Sequence, residues 1–190
     1  GDSNYNSAES TAIQVQVTKA AIGTVAVTPY YDTYDGHEHS LKEQAVTVEG
    51  FTSDQFTVQY AQSATQPDAD AAVWQSNVTV KDVADSTGTM KYWYKVTIEG
   101  GNYEPAIGEI QVTITPKPLA VSGVPDSFEK VYDGDDTVTT VLTGIAVVTG
   151  VESETISVTA TGAYDNENAD DNKMVTLTLT LDGVSEWGNY

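Results

Sequence analysis

Val175-Thr176-Leu177-Thr178-Leu179-Thr180-Leu181 puts four apolar side chains on one face of an extended chain and three threonines on the other. A period of two is the signature of a half-buried strand. The pattern recurs along the chain. Tyr92, Tyr94, Val96 and Ile98 share one face, with Trp93, Lys95 and Thr97 on the opposite one. Ile110, Val112 and Ile114 alternate with Gln111 and Thr113, and Phe56-Val58-Tyr60, Val46-Val48, Val78-Val80, Val25-Val27 and Ile156-Val158 behave likewise. Gly and Asp/Asn clusters such as Gly100-Gly101-Asn102 and Asp182-Gly183 separate the runs. No long segment shows the helical period. The stretch from Ala61 to Ala72 is the least regular and reads as a loop, with a helical turn in it. Burial of one face with a polar outer face predicts antiparallel sheets and an all-β fold.

Composition narrows the function classes. The 190 residues carry 28 Asp plus Glu against 8 Lys plus Arg, a formal net charge of −20. All the cations are lysines. Nucleic-acid binding needs clustered cations to displace counterions from phosphate, so no nucleic-acid partner is expected. The same deficit disfavours an anionic membrane surface. No run of 18 apolar residues predicts direct membrane insertion. The absence of cysteine removes disulfides, zinc thiolates and thiol nucleophiles. An apolar content of 39% is enough for a core.

Self-comparison sets the domain frame. Asn4-Tyr5 returns as Asn102-Tyr103, Lys19 as Lys117, and Tyr34-Asp35-Gly36 as Tyr132-Asp133-Gly134, each 98 residues on. Ile13-Gln14-Val15 returns as Ile110-Gln111-Val112 at 97. A third Asn-Tyr, Asn189-Tyr190, lies 57 residues after Tyr132, whereas Asn102 lies 68 after Tyr34, so the second unit is shorter in its body. Gly1 reads as a cleavage scar, and residues 1–18 as the tail strand of a preceding repeat. Residues 19–117 form the first β repeat. Residues 118–190 form the second, lacking its last strand. Pro116-Lys117-Pro118 marks the joint, because two prolines remove ladder donors and stiffen the backbone. Ile110–Thr115 is expected to close the first repeat and Leu119–Val121 to open the second. Ile13–Val17 is a spare strand, free to pair within the first repeat or with the open edge of another molecule.

The expected architecture is two tandem antiparallel β-sandwich repeats of immunoglobulin-like type, with β-grasp-like repeats as the alternative. In Tyr-Asp-Gly, the Asp accepts a backbone N–H in an Asx turn and Gly supplies a positive φ. The Tyr ring covers one end of the core with its hydroxyl wet. Gly-Asn-Tyr reads as a turn entering the last strand.

Candidate sites follow from chemistry. Asp133, Asp135 and Asp136 form one acidic cluster, and Asp165, Glu167, Asp170 and Asp171 another. Hard oxygen ligands at short spacing suit calcium, although neither cluster matches an EF-hand or a nonapeptide repeat. Solvated loop charge is the plain reading, and no other cofactor is expected. His37 and His39 flank Glu38 without an identifiable third metal ligand. Trp93, Trp74 and Tyr92 are the candidate ligand-binding aromatics, since such rings stack on sugars; core packing is their commoner use. Lys19, Lys117 and Lys130 are conceivable partners for a Lys–Asn isopeptide bond, but no pattern singles out a trio. No Gly-x-Ser-x-Gly elbow is present, and nothing selects a carboxylate pair, so no enzyme is expected.

Lys130-Val131-Tyr132-Asp133-Gly134, then Ala163-Tyr164-Asp165-Asn166-Glu167-Asn168-Ala169, Lys173-Met174-Val175-Thr176-Leu177-Thr178 and Gly188-Asn189-Tyr190 appear in that order. With these motifs the second unit resembles the YDG domain. The first unit keeps Tyr34-Asp35-Gly36, Tyr94-Lys95-Val96 and Gly101-Asn102-Tyr103, while its middle departs from the pattern. This family and the related MBG domains occur as tandem repeats in large bacterial surface proteins called haemagglutinins or adhesins. The resemblance implies non-enzymatic spacer or stalk repeats, extracellular on a bacterial surface or secreted. It carries no catalytic residues. Neighbouring repeats of the same chain are the implied partners. The competing reading is a module that binds host glycan or protein through exposed aromatics and loops.

Overall fold

A computed structural model describes residues 12–138, 142, 144–151, 154–184 and 186–190. The strands in chain order are β1 (Ala20–Ala21), β2 (Val25–Val27), β3 (Tyr30–Thr33), β4 (His39–Ser40), β5 (Val46–Val48), β6 (Phe56–Ser63), β7 (Thr79–Val80), β8 (Lys91–Ile98), β9 (Tyr103–Glu104), β10 (Ala106–Ile110), β11 (Val112–Thr115), β12 (Ala120–Ser122), β13 (Ala146–Val148), β14 (Ser157–Tyr164) and β15 (Val175–Asp182). A short helix, α1, covers Val83–Thr87, and 3-10 turns lie at Leu41–Glu43 and Trp187–Asn189. The fold is mostly β. Among the described residues, no helix is long and apolar enough to cross a membrane.

Among the described residues, every strand pairing falls within residues 19–117 or within 118–190. In the first stretch β8 is central to an antiparallel sheet of order β10-β8-β6, with Val96 opposite Ala106 on one side and Val58 on the other. Strands β2 and β5, and β4 and β7, form antiparallel pairs. Strand β1 runs parallel to β9, and β3 parallel to β11. These parallel pairs correct the wholly antiparallel expectation. Alternation tells which face a side chain takes, and it is blind to the direction of the neighbouring strand.

The segment expected as one strand, Ile110–Thr115, divides at Gln111. Residues up to Ile110 pair with β8; from Val112 the chain pairs with β3, and the Gln111 carbonyl accepts from the Tyr30 N–H at 2.9 Å. One extended run thereby stitches two sheets. Its apolar face, Ile110 and Ile114, packs with Tyr30, Tyr34, Leu41, Tyr60, Val80 and Tyr92 in the main core. A second cluster gathers Val48, Val96 and Ile98.

The loop expected from Ala61 begins later, because β6 continues to Ser63. The helical turn lies further on, at α1. Its start was legible in Asp82-Val83-Ala84-Asp85, an acid-x-x-acid capping pattern. The Asp85 carboxylate accepts from the Lys81 and Asp82 N–H groups at 2.8 and 3.0 Å.

The second stretch has fewer layers. Strands β12 and β13 pair, as do β14 and β15, the latter over eight residues from Ser157↔Asp182 to Tyr164↔Val175. The threonine face of β15 is exposed, and Val175, Leu177, Leu179 and Leu181 are only half-buried. The alternation expected for this strand is present, but its apolar face is incompletely covered. Ile13–Val17, expected as a strand, lies in none, and its apolar side chains Ile13, Val15 and Val17 are 79–89% exposed. The tail motif Asn4-Tyr5 lies outside the described residues.

Candidate functional site

The two Tyr-Asp-Gly motifs build the same turn. Asp35 Oδ1 accepts from the His37 N–H at 2.9 Å, and Asp133 Oδ1 from the Asp135 N–H at 3.0 Å. Gly36 and Gly134 take φ of 83° and 81°, a region that a Cβ penalises. His39 turns back to Asp35, with Nε2 3.0 Å from Oδ1. Hydrogen bonds from His39 and the His37 N–H hold the Asp35 carboxyl below its ordinary value, against the opposing effect of burial.

The surroundings of the two motifs differ. Tyr34 is buried, and its hydroxyl donates to Glu154 rather than staying wet as the sequence suggested. The other oxygen of the Glu154 carboxylate accepts from the Tyr190 hydroxyl. The rings of Tyr34 and Tyr190 meet edge to face, with centroids 5.6 Å apart and planes at 82°, a favourable quadrupole arrangement. Burial first, and the hydrogen bond to Glu154 second, push Tyr190 up to about 12 and Tyr34 higher still. Each phenol remains a neutral donor at neutral pH.

Residues around Glu154 aim it. Thr149 is buried, and its hydroxyl donates to the Val151 and Glu154 carbonyls at 3.2 Å while accepting from the Val151 N–H at 3.0 Å. Val151 inserts into the core cluster of the first stretch beside Tyr30 and Tyr34.

Asn189, 2% exposed, closes the other side. Its Oδ1 accepts from the Val83 N–H at 2.9 Å, satisfying a helix-start donor that has no intrahelical partner. Its Nδ2 donates to Asp82 at 2.8 Å, and its carbonyl accepts from the Lys117 N–H at 2.8 Å. The first stretch contains a similar bond one residue along: the Ala20 N–H, just after Lys19, donates to the Asn102 carbonyl at 2.9 Å. Thus Gly-Asn-Tyr does more than turn the chain. In the second stretch its Asn caps α1 and its Tyr seals the core of the first.

The candidate ligand-binding aromatics are internal. Tyr92 is 3% exposed, Trp93 8% and Trp74 9%. Trp93 Nε1 donates to the Ser63 carbonyl at 3.0 Å, and Trp74 Nε1 to the Asp68 carbonyl at 2.8 Å. Lys95 lies 5.0 Å over the Trp74 ring and donates to the Ala69 carbonyl. The loop after β6 therefore folds over the Trp93 face, so both faces of β8 are covered. Tyr92 joins the main core, and burial with the nearby Asp85 carboxylate pushes it up to about 12.

The acidic residues are dispersed or paired with lysine. Lys130 Nζ lies 2.8 Å from Asp133 and 3.7 Å from Asp135, and donates to the Asp135 and Thr137 carbonyls. Lys173 Nζ lies 3.2 Å from Asp165 and donates to the Asn166 and Asn168 carbonyls. Asp136 uses its carbonyl to accept from the Tyr164 N–H. Glu167, Asp170 and Asp171 are exposed on the β14–β15 loop, where Asp170 accepts from the Asp171 N–H. Among the described residues, no group of three or more His, Asp or Glu is placed to hold a metal ion. Sequence reasoning missed Glu154, which carries no local signal: a single acid in a loop gains its role from two tyrosines distant in the chain.

The YDG domain matches residues 115–190, and that stretch is a YDG-type region. A comparison with curated proteins found no match.

Proposed function

We propose that the chain forms non-enzymatic spacer repeats of a bacterial cell-surface adhesin, with the YDG-type region and the stretch before it as consecutive units. The observation that carries this reading is the joint. Tyr34 of one unit is covered by Glu154 and Tyr190 of the next, and Asn189 caps a helix of the first. Such a junction resists bending, because moving one unit would expose a tyrosine and unpair buried donors. A stalk needs that stiffness to hold another domain away from the cell. The −20 charge keeps neighbouring stalks soluble and mutually repelled.

Burial of Trp74, Trp93 and Tyr92 favours the spacer over a module that stacks host glycans on those rings. A display experiment separates the two. Residues 19–190 are placed between a surface anchor and a reporter binding domain, then exchanged for an unrelated stiff spacer of equal length. Equal reporter function and no binding to a glycan array or host-cell extract support the spacer. Loss of adhesion on exchange, or array binding abolished by Trp93→Ala, overturns it.

A further inference from the structure

Three Asp-Gly pairs stand in the sequence, Asp35-Gly36, Asp133-Gly134 and Asp182-Gly183. An aspartate before glycine can close a five-membered ring on the following amide nitrogen, because glycine has no Cβ to obstruct the approach. Closure has two requirements. The carboxyl must sit against the glycine amide, and it must pass through its protonated form, since its hydroxyl leaves as water.

In the first two pairs the fold opposes both. Asp35 Oδ1 and Asp133 Oδ1 accept from the His37 and Asp135 N–H groups at 2.9 and 3.0 Å, one residue beyond the glycine. His39 Nε2 lies 3.0 Å from Asp35, and Lys130 Nζ lies 2.8 Å from Asp133. Burial opposes these contacts at Asp35, yet its carboxyl stays below the ordinary value. The hydrogen bond from Lys130 lowers Asp133. Both carboxylates are thereby held ionised. Asp182 differs in both respects. Its Oδ1 accepts from the Gly183 N–H itself at 2.8 Å. Among the described residues, no lysine or histidine pairs with it. Asp32 and Asp170 make the same contact with the next N–H, at 2.8 and 2.7 Å, but the next residue is Thr33 or Asp171 and carries a Cβ. Among the described residues, Asp182 alone joins that contact to a glycine.

We propose that Asp182-Gly183 is a site of spontaneous conversion to isoaspartate. The Gly183 nitrogen bonds to the Asp182 carboxyl carbon, whose hydroxyl departs with the amide proton as water, leaving a cyclic imide. Water then adds at the former main-chain carbonyl, the bond from that carbon to nitrogen breaks, and the nitrogen regains its proton. The backbone now runs through Cβ and is one atom longer, and the former main-chain carbonyl is a free carboxylate. One water is released and one consumed, so no other reactant is needed. The longer backbone lacks room here: a Cβ on Gly183 would already lie 2.9 Å from the Thr155 carbonyl oxygen. Asp182 ends β15 a few residues before Asn189, which holds the Val83 N–H, Asp82 and the Lys117 N–H at the joint. The added atom therefore loosens the joint as the molecule ages. This chemistry goes beyond the spacer reading and stands or falls separately from it.

Ageing the full chain in neutral buffer at physiological temperature tests it. Cleavage after lysine places the three pairs in peptides 20–42, 131–173 and 174–190. Labelling with an isoaspartyl methyltransferase measures isoaspartate in each, and fragment masses locate it. Isoaspartate is expected at Asp182 at least tenfold faster than at Asp35 or Asp133. In urea, where every aspartate titrates near its ordinary value, the three rates should agree within about twofold. Asp182→Glu, at an exposed position, should abolish the signal in peptide 174–190, because closure would then need a six-membered imide. The separated isoaspartate form should melt below the fresh chain, while aged Asp182→Glu melts as it did when fresh. Equal rates in the folded chain, a lead for Asp182 that persists in urea, or an isoaspartate form that melts like the fresh chain each overturns the proposal.

Discussion

Tyr34 and Tyr132 open the same Asx turn, yet Tyr34 is 2% exposed and Tyr132 65%. The unit around Tyr34 has a three-stranded sheet covered on both faces and a parallel strand beside β3. The unit around Tyr132 has two-stranded pairs and a half-covered apolar face. The motif therefore fixes the turn, while burial of its tyrosine depends on what lies against it. For Tyr34 that is Glu154 and Tyr190.

The widest gap between the units should appear on truncating core side chains. Leu41→Ala, at a fully buried position, is expected to cost about 2–5 kcal/mol. Leu179→Ala, on the half-buried face of β15, should cost about 1 kcal/mol in dilute solution. Urea melts of both variants compare them, and equal losses would erase the contrast between a closed and an open unit.

Breaking the joint comes next. Asn189→Ala leaves the Val83 N–H and Asp82 without their partner and should lose about 1–3 kcal/mol. Asn189→Asp should be at least as damaging, since it sets a second carboxylate against Asp82. A neutral result for both would show that capping across the joint contributes nothing to stability.

Tyr34→Phe keeps the edge-to-face ring contact and removes only the donor to Glu154, for about 1 kcal/mol. Tyr132→Phe should stay within about 0.5 kcal/mol, as exposed substitutions do. Thermal melts of this pair sharpen the comparison at one hydroxyl each.

The two hydroxyls bonded to Glu154 also carry a pH dependence. Unfolded tyrosines titrate near 10, whereas Tyr190 is held up to about 12 and Tyr34 above it. Their contribution is complete below pH 10 and declines as pH rises from there through about 12, because only the unfolded state loses its phenolic protons in that interval. Denaturant midpoints from pH 9 to 11 should fall less steeply in a Tyr34→Phe/Tyr190→Phe double variant. Parallel slopes would contradict the assignment.

Local chemistry was legible in the sequence, and long-range placement was not. Strand β15 follows from alternation alone, and both Asx turns follow from Asp and Gly. The β3–β11 parallel pair is invisible to alternation. The burial of Trp93 depends on a loop folding over its face, which no period in β8 reports. Asn189 was readable as a turn residue, but its capping of α1 required two segments 106 residues apart to meet.

The stiffness of the joint is the central claim, and a distance distribution between spin labels tests it most directly. The absence of cysteine allows unique labels at exposed Thr57 and Thr178, one in each unit. The account predicts a single narrow distribution that broadens in Asn189→Ala combined with Tyr34→Phe. A broad distribution in the unmodified joint, unchanged by those substitutions, would contradict it.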